Sequence, residues 1–134
     1  MLKVDFTNET IFGFKGPNLC LLGNEDEFLQ LSKSVSELTG TSGIVIDLMK
    51  LSFVTKVGED KKIIFASKNK SKLLGFFNDE GLLFELDPHY WDRLFKYFVF
   101  MSWGKKTYYL NEYENCLSDL ELKQECNFIC SSEF

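Results

Sequence analysis

Apolar residues recur at helical spacing in only two stretches of this chain, and this limits the folds that it can adopt. The first stretch begins at Asn24, a residue favoured at helix N-caps, and Glu27 follows three positions later as in a capping box. Its apolar side chains fall at i, i+3, i+7 and i+10: Phe28, Leu31, Val35 and Leu38. This pattern predicts an amphipathic helix with one buried stripe, which ends at Gly40.

The second helical stretch begins at Asp87 and Pro88, which are favoured at the N-cap and at the first helical position. Its apolar stripe lies at i, i+3, i+4 and i+7: Trp91, Leu94, Phe95 and Phe98. The pattern predicts a helix that packs on a sheet. Residues 97–103 lack the helical periodicity of the preceding residues, so this stretch is compatible with either a buried helix end or the start of a strand.

The other ordered segments alternate apolar and polar residues or are rich in β-branched residues, as strands are. They are residues 2–7, 11–15, 19–22, 44–48, 51–57, 62–67, 72–77, 81–86, 106–110 and 120–129. Turns are expected at residues 8–9 and 58–60, and the strand at 62–67 is expected to return from the second turn. A further hairpin is expected about residues 78–81. The sequence of residues 116–124 is compatible with either a strand or a helical turn. We predict an α+β fold, with residues 1–134 forming one domain: a mainly antiparallel sheet with about two packed α-helices.

The aromatic content is high, because aromatic residues make up 16% of the chain and 14 of its 134 residues are phenylalanine. So much aromatic area belongs either in a heavy core or on a surface that meets a partner. The formal net charge of -5 opposes direct binding to nucleic acid, which depends on neutralising phosphates. The same charge favours attraction to a basic partner.

The N-terminal residues contain no apolar signal region, and the longest apolar run, residues 97–101, is too short to span a bilayer. These features predict a cytoplasmic protein with no membrane partner. In that compartment the cysteines are expected to be reduced: Cys20, Cys116, Cys126 and Cys130. Cys126 and Cys130 have a spacing compatible with zinc ligation, but no second close pair exists, so no metal or cofactor is predicted.

Candidate catalytic residues are few. His89 is the only histidine, and it lies in the first turn of the second predicted helix without an accompanying nucleophile and base. Asp47, Glu85 and Asp87 adjoin predicted strand ends, and no glycine-rich phosphate loop or nucleophile elbow is present. We predict that the chain is not an enzyme. Two alternatives stay open: a small hydrolase that uses a carboxylate and His89, and a ligand-binding or assembly module with an aromatic pocket or interface.

Basic residues cluster in one short segment. Five lysines lie within twelve residues: Lys61, Lys62, Lys68, Lys70 and Lys72. Such a cluster is typical either of a patch that binds phosphate or of a solvated hairpin whose edge lysines oppose aggregation. The net negative charge of the chain and its single arginine favour the solvated hairpin.

Acidic residues dominate a downstream segment, where three tyrosines lead into and interleave with five carboxylates: Tyr108, Tyr109, Glu112, Tyr113, Glu114, Asp119, Glu121 and Glu125. Tyrosines among acidic groups suit a surface that captures a basic protein, and an ordinary solvated face with tyrosines in the core is the alternative. We predict a partner-binding surface formed by six of these residues: Tyr109, Glu112, Tyr113, Glu114, Asp119 and Glu121.

The N-terminal strands, residues 21–28 leading into the first helix, and the acidic region 108–125 together resemble a known class of proteins. In these features, in size and in acidic balance the chain is similar to the immunity proteins of bacterial polymorphic toxin systems, including contact-dependent growth inhibition. The resemblance implies a protein that binds and neutralises a cognate toxin domain, often a basic nuclease, by occluding its active site. Acidic side chains would then occupy the basic cleft of the toxin, and aromatic side chains would supply the desolvated centre of the interface.

Overall fold

The computed structural model describes residues 1–7, 9–11, 13, 15, 17–58, 61–68, 74–78, 81–110 and 127–133, with the backbone alone considered for 74–78. Within these residues the strands are β1 (Leu2–Thr7), β2 (Asn18–Leu22), β3 (Val45–Asp47), β4 (Val54–Lys56), β5 (Lys62–Ser67), β6 (Leu74–Asn78), β7 (Gly81–Leu86), β8 (Thr107–Tyr109) and β9 (Asn127–Ser131). The helices are α1 (Glu25–Val35), α2 (Glu37–Gly40) and α3 (Pro88–Met101), with a 3-10 helix at Leu48–Lys50.

The strands form two sheets, with the orders β4-β1-β2-β9-β8 and β3-β5-β7-β6. Both sheets are mixed. Three of the described pairings are parallel, namely β1 with β4, β2 with β9 and β5 with β7, and four are antiparallel. The α+β class predicted from the sequence is confirmed, and β6 and β7 form the predicted hairpin.

Two expectations about strand pairing are wrong. In the described part of 11–15, Ile11 forms only an isolated bridge and Gly13 lies in a turn, so β2 is the antiparallel partner of β1. The strand at 62–67 does not return against its predecessor, because β4 pairs with β1 in the first sheet and β5 pairs with β3 and β7 in the second. Ile63, Phe65 and Ser67 bury one face of β5, and β3 and β7 pair along its two edges, so this strand lies inside its sheet.

The capping box predicted at the start of α1 is confirmed. The backbone N–H of Glu27 donates to Asn24 Oδ1, and the backbone N–H of Asn24 donates to Glu27 Oε1, each at 2.9 Å. Glu27 also pairs through Oε2 with the amino group of Met1 at 2.7 Å. The predicted helix is interrupted at Ser36, so that α2 carries its last buried residue, Leu38.

The longest helix in the described ranges is α3, which continues to Met101 and so resolves the ambiguity over residues 97–103 in favour of a helix end. Asp87 caps it by accepting the backbone N–H of His89 at 3.1 Å. Helices α1 and α2 both pack against α3, and the rings of Phe28 and Phe98 stack at 6.3 Å. No helix in the described part of the chain is long and apolar enough to cross a lipid bilayer.

Aromatic side chains join the two sheets at the centre of the core. Phe128 of the first sheet lies 6.2 Å from Phe65 and 5.5 Å from Phe84 of the second, measured between ring centroids. The indole of Trp91 packs on Phe65 at 4.8 Å, and its N–H donates to the carbonyl of Ala66 at 2.8 Å. Much of the described aromatic surplus is therefore core, and part of the remainder lies on one flank of α3.

Candidate functional site

A contiguous set of aromatic rings lies along one flank of α3 and across its C-terminal end. Tyr97 and Phe100 lie one helical turn apart with their ring centroids 6.1 Å apart, and Trp103 follows Phe100 at 5.3 Å. Tyr108 of β8 meets Tyr97 edge to face at 5.0 Å. We refer to these four residues, Tyr97, Phe100, Trp103 and Tyr108, as the aromatic ridge.

The ridge is partly accessible to solvent, and its exposure increases towards Trp103. Tyr97 and Tyr108 pack against the core, whereas Trp103 is 70% exposed, the largest fraction among the exposed large apolar side chains described. One exposed apolar residue is ordinary on a protein surface. A contiguous aromatic surface that ends in an exposed tryptophan is instead typical of a site that meets another molecule.

The turn that presents Trp103 is fixed by hydrogen bonds. The backbone N–H of Trp103 donates to the carbonyl of Phe100 at 3.1 Å, which continues the last turn of α3. On the far side of the turn, the buried hydroxyl of Ser132 donates to the carbonyl of Gly104 at 3.0 Å and accepts the N–H of Lys106 at 2.9 Å. The backbone that carries the exposed indole is therefore held in place before any partner arrives, which reduces the entropy lost on binding.

The described charges nearest to Trp103 in the chain are basic. Lys105 is exposed and Lys106 is partly exposed, directly after the turn. Farther along the helix, Lys96 is paired with Asp92 at 2.9 Å, and the guanidinium of Arg93 lies 5.0 Å from the ring centre of Tyr90. The ridge thus supplies apolar contact, two lysines follow it in the chain, and the described cations farther along the helix have partners of their own.

Of the residues predicted to bind a partner, Tyr109 alone belongs to the described residues. It lies on β8, partly exposed, opposite Ile129 of β9. Tyr108 and Tyr109 are consecutive in a strand, so their side chains point to opposite faces of the sheet, Tyr108 towards the ridge and Tyr109 away from it. The other predicted residues lie outside the described residues: Glu112, Tyr113, Glu114, Asp119 and Glu121.

The candidate catalytic residues have structural roles or exposed positions. His89 is exposed, and its ring contacts that of Tyr90 at 4.4 Å. Asp47 caps the 3-10 helix by accepting the N–H of Met49 at 3.0 Å, and Asp87 caps α3. Glu85 pairs with Lys68 at 3.0 Å. Each of these three carboxylates therefore has a partner within the fold, and the described structure does not bring them together around His89.

The lysine cluster is dispersed among several contacts. Lys61 lies 5.5 Å from the ring centre of Phe6, Lys62 is exposed on β5, and Lys68 forms its ion pair with Glu85. Lys70 and Lys72 lie outside the described residues. Lys61 and Lys68 therefore serve separate local contacts.

The two described cysteines are buried, Cys20 on β2 and Cys130 on β9. They lie on opposite faces of the first sheet, because Cys20 is opposite Ile129 and Cys130 is opposite Leu21 in the register. Burial and the negative charge of Asp5 raise the pKa of Cys20 to about 12, so this thiol stays protonated. Among the side chains that the structure describes, no group of three or more histidine, cysteine or acidic residues is placed to hold a metal ion.

Sequence reasoning missed Phe100 and Trp103 as surface residues. The signal was present, since the stripe Trp91, Leu94 and Phe98 already supplies one buried face, and further aromatic residues on the same helix have to lie elsewhere. The loss of clean periodicity after Tyr97 was therefore itself the sign of a second apolar flank.

Comparison with protein-family models, with curated proteins and with solved structures found no match for this chain.

Proposed function

We propose that this chain is a binding protein that neutralises a partner protein by covering its active site, as immunity proteins of bacterial polymorphic toxin systems do. The observation that carries the proposal is the exposed indole of Trp103 at the end of the aromatic ridge, on a turn fixed by Ser132. Tryptophan and tyrosine dominate the binding energy of many protein interfaces, above all where they are held rigidly.

The acidic balance of the chain supports a basic partner, such as a nuclease toxin domain. The net charge of -5 attracts a basic protein and accelerates its encounter. In the sequence, the acidic residues from Glu112 to Glu121 follow directly after β8, the strand that contributes Tyr108 to the ridge. The aromatic and acidic parts of the proposed interface are therefore contiguous in the chain.

In the proposed mechanism, the aromatic and acidic parts of this interface have different roles. The aromatic ridge supplies the desolvated centre, where close packing slows dissociation. The acidic side chains occupy the basic cleft of the toxin and exclude its nucleic-acid substrate, and Tyr109 and Tyr113 act as anchors. This chain needs no catalytic group or cofactor for that role.

The test is capture of the tagged protein from its native cells at gentle salt, followed by mass spectrometry and a toxicity assay. We expect a stoichiometric basic protein that is toxic when produced alone and harmless when produced with this chain. A complex without protection from toxicity would contradict the proposal, as would the absence of a partner in cells confirmed to produce the candidate toxin.

Two further measurements separate the proposal from its alternatives. Light scattering over a range of protein concentrations detects self-association, and a mass that rises with concentration would favour the assembly module. Hydrolytic activity that is lost in His89→Ala, with the fold intact, would favour the enzyme.

A further inference from the structure

A second candidate site lies on the outer face of the first sheet, away from the aromatic ridge. A cavity of about 280 Å³ opens there, lined by Lys3, Asp5, Ile11, Cys20, Leu22 and Val57. The register explains the grouping, because Asp5 lies opposite Cys20 and Lys3 lies opposite Leu22 on neighbouring strands. Most of the lining is apolar, and Asp5 places a carboxylate among these walls.

The Asp5 carboxylate has no hydrogen-bond donor and no ion pair among the described residues. It lies against the backbone at Gly58, where an added methyl group would come within 3.1 Å of Oδ1. Burial, and then the negative charge of Glu9, raise the pKa of Asp5, while the positive charge of Lys61 acts in the opposite direction. The ionised carboxylate is therefore less well stabilised here than it would be in water.

The other charged groups at the cavity leave this carboxylate available. Lys3 lies at the rim, and its charge acts on Glu27, whose pKa it helps to lower. The thiol of Cys20 stays neutral because its pKa is raised to about 12. Lys3 and Lys61 together balance Asp5 and Glu9, so the attraction for a cation comes from the Asp5 carboxylate itself, which has no ion pair among the described residues.

We propose that this cavity binds a primary alkylammonium group, with the Asp5 carboxylate as its counter-ion and Ile11, Leu22 and Val57 around its hydrocarbon chain. The ammonium supplies the hydrogen-bond donors that the carboxylate lacks, and the walls cover the attached methylene groups. The volume lies just below the range of roughly 300–1,000 Å³ that is usual for drug-sized ligands. It suits a single short alkyl chain, carried either by a free amine or by a lysine side chain of another protein.

The test is an NMR titration of the whole protein with hexylamine as the probe and hexanol as its uncharged match. We expect saturable shifts of the Leu22 and Val57 methyl signals with hexylamine, and affinity for hexanol weaker by about tenfold. A lysine blocked at both its amino and carboxyl ends separates the two sources. Binding of hexylamine alone restricts the site to free amines, and binding of both probes shows that it also accepts a protein lysine.

Variants of the cavity make the test specific. Asp5→Asn is expected to weaken hexylamine binding about tenfold. Asp26→Asn is the matched control, because it removes the same charge from an exposed position on α1 and is expected to bind normally. If Asp5→Asn fails to fold, Val57→Trp fills the exposed rim and is expected to abolish binding while the carboxylate is kept. The proposal is overturned if hexylamine gives no saturable shifts, if hexanol binds equally well, or if both cavity variants bind like the unmodified chain.

Discussion

Ser132 and Trp103 are linked through the turn that follows α3. The hydroxyl of Ser132 bonds the carbonyl of Gly104 and the N–H of Lys106, so a buried side chain of the C-terminal segment holds the backbone on which an exposed indole lies. This link connects the stability of the fold to the geometry of the proposed interface. The two properties can therefore be separated by changing one residue at a time.

Trp103→Ala is expected to weaken binding of the captured partner by about 2 kcal/mol or more, roughly thirtyfold in Kd, because it removes the exposed end of the ridge. The free energy of unfolding should change by less than about 0.5 kcal/mol, since the side chain is largely in solvent. Titration calorimetry and urea unfolding measure the two effects. Val45→Ala, at a position 63% exposed on β3, is the control and should bind normally. Equal affinities for both variants would exclude the ridge from the interface.

Ser132→Ala is expected to lower the free energy of unfolding by about 1–3 kcal/mol, because two backbone groups of the turn lose their partner. The Trp103 signal in fluorotryptophan NMR should also narrow as the turn gains mobility. Ser52→Ala is the control, since Ser52 is exposed and far from this turn in the sequence. An unchanged Trp103 signal in a destabilised Ser132→Ala protein would show that other contacts fix the indole.

Glu27 is expected to make the stability of the protein depend on pH. Burial alone would raise its pKa, but hydrogen bonds from the amino group of Met1 and the N–H of Asn24, with the charge of Lys3, lower it below the ordinary 4.5. The folded state then binds fewer protons than the unfolded state. The stabilisation is complete above the unfolded pKa and is lost as the pH falls through the lowered folded pKa.

Urea unfolding from pH about 6 to about 3 measures this effect. The difference in the free energy of unfolding between the unmodified protein and Glu27→Gln should shrink as the pH is lowered. Glu37→Gln, at an exposed position on α2, is the matched control. A difference that is constant over this range would show that Glu27 acts through its shape and not through its charge.

Gly81→Ala is expected to destabilise the fold by more than about 3 kcal/mol. Gly81 has φ 147°, and an added Cβ would lie 1.9 Å from the carbonyl oxygen of Lys62, its partner in β5. Gly40→Ala, at a helix end with open space around it, should change stability by less than about 1 kcal/mol. Thermal unfolding of the two variants tests this contrast, and a stable Gly81→Ala protein would mean that β5 and β7 can shift apart.

Local sequence signals predicted the elements of this fold better than their arrangement. The capping box at Asn24, the Asp87-Pro88 helix start and the hairpin about 78–81 depend on neighbouring residues, and all three are confirmed. The pairing of β1 with β4 and of β2 with β9 joins distant segments, and no nearby residue specifies it. Turn residues mark where the chain reverses, but they do not identify the sheet that the next strand joins.

The site was less accessible to sequence reasoning than the fold. The acidic and tyrosine-rich composition pointed to residues 109–121, of which Tyr109 and Leu110 are described. Trp103 was passed over because exposure is a property of the packed structure, and a tryptophan near a helix end is equally compatible with the core. The cavity at Asp5 forms only when β1 and β2 pair, so its residues are separated in the sequence.

The position of β9 has a consequence for how the chain folds during synthesis. It is the last described strand in the sequence, yet it lies between β2 and β8 and brings Phe128 to the aromatic centre of the core. Until the ribosome has released residues 127–131, the nascent chain presents an open edge at β2 and an unfilled space beside Phe65 and Phe84. We therefore expect a nascent chain that lacks β9 to expose an edge at which another chain can pair, and this edge closes when β9 is added.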